Sequence, residues 1–269
     1  MTYTGHIQLE ASERYGKSVL SDAYYNGVFK ISRPTYTDEN LPLVQLIHVG
    51  GGYVDGDTYL TEIHVKNMAK LAVTTQASTK VYKTPHKQVM QRALYKLEAN
   101  TELHMKQDPL IAYKDARFTQ ETEVQMDQSA SFFFTDSVTP GWSKEGTLFP
   151  FTCITSKLKV YQNGRLVIFD HLRLKPDEDL MQLLQLEGNT HVGSLFFIHS
   201  EVTVEWIQKL RDYLASFCDD QYGVSLLQIP GVCLRILAKR TSLIEKIFAA
   251  VEEFIHSTIY NRSAISWRK

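Results

Sequence analysis

The stretch Gly50 to Lys83, GGGYVDGDTYLTEIHVKNMAKLAVTTQASTKVYK, constrains this chain more than any other. Three glycines and an acidic turn, Asp55-Gly56-Asp57, lead into two segments of period two. Glycine reaches φ > 0 without a Cβ clash, so the opening run fits sharp turns and close backbone approach. Ile63 and Val65 alternate with Glu62, His64 and Lys66. Leu71 and Val73 alternate with Lys70, Ala72 and Thr74. Such alternation belongs to strands with one buried face. Asn67 to Ala69 would be the turn of a hairpin joining them. The polar run Thr74 to Lys80 then precedes Val81 and Tyr82, and it carries more hydroxyls and amides than packing requires.

The same pattern recurs from the N-terminus to Lys175. Residues 5–10 and 27–31 alternate, and Arg33-Pro34 ends the second segment because proline cannot donate to a ladder. Leu43 to Val49 is continuously apolar, as in a strand buried on both faces. Residues 94–97, 102–105, 117–124 and 131–135 read as further strands, with Asp108 to Tyr113 as a loop. Pro140-Gly141 is a turn signature, and Asn163-Gly164 marks a hairpin. Residues 180–198 carry leucines at 180, 183, 184 and 186, but two glycines break a long helix, so strands with a hairpin are expected there.

The last third differs. Ser200 is placed to cap a helix with Val204, Ile207, Leu210, Leu214 and Phe217 on one face. Ser242 and Glu245 form a capping box for a second, with a broad apolar stripe from Leu243 to Ile255. Val224 to Ile229 and Val232 to Leu237 are strands around Pro230-Gly231, and the polar tail from Asn261 should be loose. No Pro/Ser-rich linker divides the chain. The expectation is one domain over 1–269: a mainly β body over about 1–198 and a helix-containing part over about 199–260.

Composition narrows the function. With 29 basic and 30 acidic residues the chain has no basic surplus for a phosphate backbone, which argues against nucleic acid. Cys153, Cys218 and Cys233 form no C-x-x-C pair, which points to a reducing compartment rather than a disulfide framework or structural zinc. There is no apolar signal region and no apolar run long enough to cross a bilayer, so a cytoplasmic location without membrane spans is expected.

Familiar catalytic motifs are missing. Gly50-Gly51-Gly52 is not followed by G-K-[ST], and G-x-G-x-x-G, G-x-S-x-G and H-E-x-x-H do not occur. The nine histidines are scattered as surface or singly bonded side chains would be, His171 beside Asp170 being the one of interest. Ser78-Thr79-Lys80 admits a hydrolase or transferase in which a desolvated lysine activates a hydroxyl. The bland alternative is the polar face of a strand. Asp55, Asp57, Asp136 and Asp170 sit at turns or strand ends, where aspartate commonly bonds its own backbone. Convergence on an interior cavity would instead make an oxygen-lined path for a divalent cation.

Taken in order, GGGYVDGD, TTQASTKVYK, DPLIAYKDARF, FFFTDSVTPG, NGRLVIFDHLRL and GVSLLQIPGVCLRIL resemble the urease accessory protein D family, UreD, also called UreH. The resemblance covers nearly the whole chain. It implies a single coiled β-sheet body of many short strands with two α-helices in the C-terminal third. It implies no catalysis and no permanently bound cofactor, only nickel(II) in transit. The implied partners are accessory protein F, the nickel-carrying GTPase accessory protein G, and apo-urease, in which nickel insertion accompanies lysine carbamylation.

An internal water-lined route for the metal is also implied. Matched by position, Asp57, Thr79, Lys80, Asp136 and Asp170 are the candidate path. Gly51, Gly52, Gly56, Thr75, Gln76, Tyr82, Pro140 and Gly141 are the family's turn and strand residues. Where many relatives carry Gly-Glu after the Pro-Gly turn, this chain has Gly146-Thr147, with Glu145 one residue away. A module that only recruits partners is the competing reading, with a Thr79/Lys80 hydrolase behind it.

Overall fold

The structure is a computed structural model that describes residues 3–38, 40–178, 180–182, 185–217 and 222–267. In chain order the strands are β1 (Gly5–Arg14), β2 (Lys17–Gly27), β3 (Phe29–Ile31), β4 (Thr35–Asp38), β5 (Leu41–His48), β6 (Thr58–Val65), β7 (Lys70–Thr75), β8 (Thr79–Val81) and β9 (Val89–Leu97). There follow β10 (Glu102–Lys106), β11 (Leu110–Ala112), β12 (Arg117–Met126), β13 (Ser131–Val138), β14 (Cys153–Gln162), β15 (Arg165–Leu174), β16 (His191–Ile198), β17 (Tyr222–Leu226) and β18 (Gly231–Ala238). Among the described residues there are two α-helices, α1 (Val204–Phe217) and α2 (Thr241–Ile255), with a 3-10 turn at Pro176–Glu178 and a π-helical turn at His256–Tyr260.

The middle of the chain is a coil of parallel strands. One sheet runs β15-β14-β12-β9-β6-β1-β2, and the main path of the other runs β17-β18-β16-β13-β10-β7-β5-β3. The chain alternates between them, with β8 and β11 as a short third ladder at the corner. Met90 lies beside Thr58 and Thr119 beside Met90, so these three residues mark the same point on successive coils. The other sheet steps from coil to coil in the register Lys70, Glu102, Ser131. Antiparallel strands close the stack: β2 on β1, β15 on β14, and β16, β18 and β17 beyond β13.

This arrangement revises the expected hairpin at 58–75. β6 pairs with β1 and β9 in one sheet, β7 with β5 and β10 in the other, all in parallel. Asn67 and Met68, both with positive φ, turn a corner between sheets. The apolar faces Ile63/Val65 and Leu71/Val73 then meet across one core instead of lying side by side. The Asn163-Gly164 hairpin forms between β14 and β15, both turn residues having positive φ, and β17 and β18 flank Pro230 as expected.

Among the described residues of 180–198 the strand is β16 alone. Glu187 and Gly188 take positive φ, and Leu180 and Leu186 drop into the core from turns. Leu183, Leu184 and Cys218 lie outside the described residues, as does the side chain of Phe217. Residues 110–112, expected in a loop, are the strand β11.

The helices cover the outer face of the second sheet, where Phe133, Leu195, Phe197, Leu234 and Ile236 pack against Ile207, Leu210, Ile244 and Phe248. This is why β13 is buried on both faces. Thr203, not Ser200, caps α1: its Oγ1 accepts from the Trp206 amide at 3.2 Å. The capping box expected at Ser242 does not start α2: the N-cap is Arg240, in extended conformation and without a side-chain cap hydrogen bond. The tail is anchored rather than loose. Arg262 pairs with Glu102, the Trp267 indole donates to Glu252 at 2.6 Å, and Ile265 is buried.

Candidate functional site

Polar side chains interrupt the apolar filling between the sheets along two facing rows. On the first sheet, Tyr59, Gln91, Gln120 and Ser156 stand side by side on β6, β9, β12 and β14. On the second, Asp136, Ser194 and Arg235 stand side by side on β13, β16 and β18. Asp136 joins the rows: its Oδ2 accepts from Gln120 Nε2 at 2.5 Å and from Ser156 Oγ at 2.9 Å. Gln120 Nε2 also donates to Ser156 Oγ at 2.8 Å. Burial raises the Asp136 pKa above the ordinary carboxylate value, against the pull of the Ser156 hydroxyl and the Arg235 charge. Asp170, from β15, is half-buried and pairs with Arg235.

A cavity of about 160 Å³ lies at the other end of the rows. Gly51, Gly52, Thr75, Gln76, Thr79 and Lys80 line it, together with His48, Tyr53, Gln91 and Tyr95. The glycine run forms this wall because a Cβ on Gly52, whose φ is +142°, would sit 2.6 Å from the Lys80 carbonyl oxygen. Tyr82 secures the turn by donating to the Gly51 carbonyl at 2.9 Å. His48 Nε2 is buried and has no hydrogen-bond partner among the described residues. Burial holds the His48 pKa below its usual value, favouring neutral imidazole. Tyr53 donates to Gln91 at 3.0 Å, which ties the cavity to the first row. Burial and then the Asp136 charge raise the Tyr95 pKa, so cavity and carboxylate are electrostatic neighbours.

Asp57 lies behind the cavity wall. It is half-buried and accepts from Thr4 Oγ1 at 3.1 Å, the Val54 amide at 2.7 Å and the Tyr59 hydroxyl at 2.7 Å. Tyr59 stacks on Tyr53 with ring centroids 3.9 Å apart. Asp55 accepts from the His86 and Lys87 amides at 2.9 Å each and fixes the turn containing Gly56. Thr75 is engaged with Asp108, donating at 2.8 Å.

The structure therefore gathers Thr75, Gln76, Thr79 and Lys80 at the cavity, Asp57 next to it, and Asp136 with Asp170 at the far end. Pro140 and Gly141 stand apart at a coil corner, where a Cβ on Gly141 would meet the Ala112 carbonyl oxygen at 2.4 Å. Glu145 is exposed and 3.7 Å from Lys114. Lys80 is exposed, so it is not the desolvated amine that nucleophile activation requires. His171 is exposed on the edge strand β15.

Sequence reasoning passed over Gln120, Ser156, Ser194, Arg235 and His48. Their signal was a polar residue at the buried parity of a strand: Gln120 between Phe118 and Val124, Ser194 between Val192 and Phe196. It also missed His104 and His256, which are fully buried beneath the tail with ring centroids 5.2 Å apart. Among the described residues no group of three or more His, Cys, Asp or Glu side chains could hold a metal ion, and no helix is long and apolar enough to cross a membrane.

A family model described as UreD urease accessory protein matches residues 3–268. A urease accessory protein UreD of Bacillus sp. (strain TB-90) is 45% identical over 270 residues, covering all of both chains. One from Lachnoclostridium phytofermentans is 35% identical, covering 98% of this chain and 97% of its own. One from Staphylococcus aureus (strain Newman) is 34% identical, covering 99% and 98%.

Proposed function

The chain belongs to the UreD family of urease accessory proteins, and from that membership we propose that it is a cytoplasmic scaffold that docks on apo-urease and conveys nickel to it. Accessory proteins F and G are its partners, G being the GTPase that brings the metal. Membership itself supports a role in urease maturation and a protein that is an accessory factor, not a catalyst. The passage is the finer part of the reading, and one observation carries it: Asp136 is a buried carboxylate spanning the two sheets, in line with a polar row that leads to the glycine-walled cavity.

The donors fit such cargo. Nickel(II) is held tightly by clustered imidazole and thiolate ligands and loosely by isolated carboxylate, amide and hydroxyl oxygens. The interior offers oxygens from Asp136, Gln120, Ser156, Gln91 and Thr79, and the unpartnered imidazole nitrogen of His48 at the cavity. A hydrated cation could be passed along these groups without lodging, and the burial that makes an empty carboxylate costly also favours a cation beside it. Asp57 acts one step back, orienting Tyr59 and the glycine turn.

Co-expression with the urease structural and accessory proteins tests the reading. Asp57→Ala and Asp136→Ala, made singly, should each lower urease activation several-fold while the complex still assembles and the melting temperature shows a folded chain. Full activation by both variants would remove the passage and leave only docking.

A further inference from the structure

The far end of the polar rows carries a positive charge where a cation path should be negative. Arg235 donates to Ser194 Oγ and to Asp170 Oδ1, and its guanidinium lies 5.6 Å from the Phe196 ring centroid. Ser194 is the register neighbour of both Arg235 and Asp136, so the guanidinium stands on the row of the buried carboxylate. Its charge is among the forces that favour ionised Asp136, while Asp170 opposes them. The side chains of Arg235 and Asp170 are 35% and 24% exposed, so this end of the seam meets solvent.

We infer that Arg235 is the release group of this chain: its tethered guanidinium competes with a divalent cation for Asp136 and Asp170 and keeps the cation from lodging between them. The inference rests on the passage reading above and names what governs residence there. Without Arg235, the two carboxyl groups, with Ser156, Ser194 and Gln120 beside them, would form an oxygen-rich pocket open to a metal. With Arg235, a guanidinium tethered to Asp170 and Ser194 stands on the row of Asp136 and opposes a second cation there. The guanidinium is attached to the chain, so it returns whenever the cargo leaves. A cation passing this point is therefore destabilised where it would otherwise be held most firmly.

A purely structural clamp between β15 and β18 would use the same contacts, and charge separates the two roles. Arg235→Gln and Arg235→Met remove the charge and keep much of the side chain's length, whereas Arg235→Lys keeps the charge. Nickel binding is measured by equilibrium dialysis on the full chain, alone and in complex with accessory proteins F and G, beside the melting temperature. A folded neutral variant should retain nickel about tenfold or more tightly than the wild type. The Lys variant should stay within a few-fold of it. In the activation assay nickel should accumulate on the neutral-variant complex at the expense of urease, and Asp136→Asn added to Arg235→Gln should abolish the retention.

A folded neutral variant that binds no more nickel than the wild type would overturn the inference. So would failure of both neutral variants to fold, which would make the pair a clamp. Neither result bears on the passage itself, which is tested separately by Asp57→Ala and Asp136→Ala in the activation assay.

Discussion

Asp136 is held where its charge is unwelcome, and the consequence is a pH dependence of definite sign. Burial raises its folded pKa above 3.8, so the folded chain binds this proton more tightly than the unfolded chain does. The stabilisation from the protonated form is complete below the ordinary carboxylate value and is lost as pH rises through the folded value. Asp136→Asn keeps an oxygen acceptor for Gln120 and Ser156 and removes the titration. Urea melts at a series of pH values from acid to neutral should find the wild type losing stability relative to Asp136→Asn as pH rises. Parallel curves would mean that Asp136 is not the titrating group. Asp57 accepts hydrogen bonds from three donors. Asp57→Ala leaves the Tyr59 hydroxyl without its acceptor and should cost about 1–3 kcal/mol, seen as a lower urea midpoint.

The tail after α2 acts as a strap across the second sheet. Glu102 is buried, yet His104 and Arg262 outweigh that burial and lower its pKa to about 2. Burial, with the charges of His104 and Arg262, pushes His256 down to about 3. Both shifts stabilise the folded chain at neutral pH and fail in acid. The His256 contribution is lost as pH falls from 6.5 towards 3, and the Glu102 contribution as pH falls from 4.5 towards 2. Deleting residues 261–269 removes Arg262, Ile265 and Trp267 and leaves Glu102 short of a partner. Stability at pH 7 should fall by about 3–5 kcal/mol, the cost of breaking a buried ion pair from one side. The difference should shrink near pH 3, where Glu102 begins to protonate. A deletion with an unchanged urea midpoint at pH 7 would return the tail to the loose segment that its polar sequence suggests. The sequence misleads here because the anchors of the strap are distant: Glu102 lies 160 residues from Arg262.

At the scale of the molecule, the coil makes a passage possible. Parallel coils bring side chains from successive turns of the chain into rows, so polar residues at matching positions line up across four strands. Gln120 sits in the middle of one row and bonds both Ser156 and Asp136. Gln120→Leu would place an apolar plug there, and Asp136 would lose the Gln120 hydrogen bond at a cost of about 1–3 kcal/mol. Nickel content of urease should drop several-fold, while pull-down of the accessory partners stays at the wild-type level. Normal nickel loading would place the route elsewhere.

By itself the sequence determined the β character, the two late helices, the turns at Asn163-Gly164 and Pro230-Gly231, and the family, through glycine and polar motifs spread along the chain. Those are local properties, set by side-chain parity, turn chemistry and residue identity. Which strand pairs with which was decided only by tertiary structure, because period two marks a buried face without naming the sheet across from it. The coil from Thr58 to Met90 is longer than the one from Met90 to Thr119, so the sequence holds no fixed period to find. The meeting of Asp136 with Gln120 and Ser156, and of Asp170 with Arg235, was likewise decided in three dimensions. A buried charge is stable only beside partners, and here those partners arrive from strands that the sequence keeps far apart.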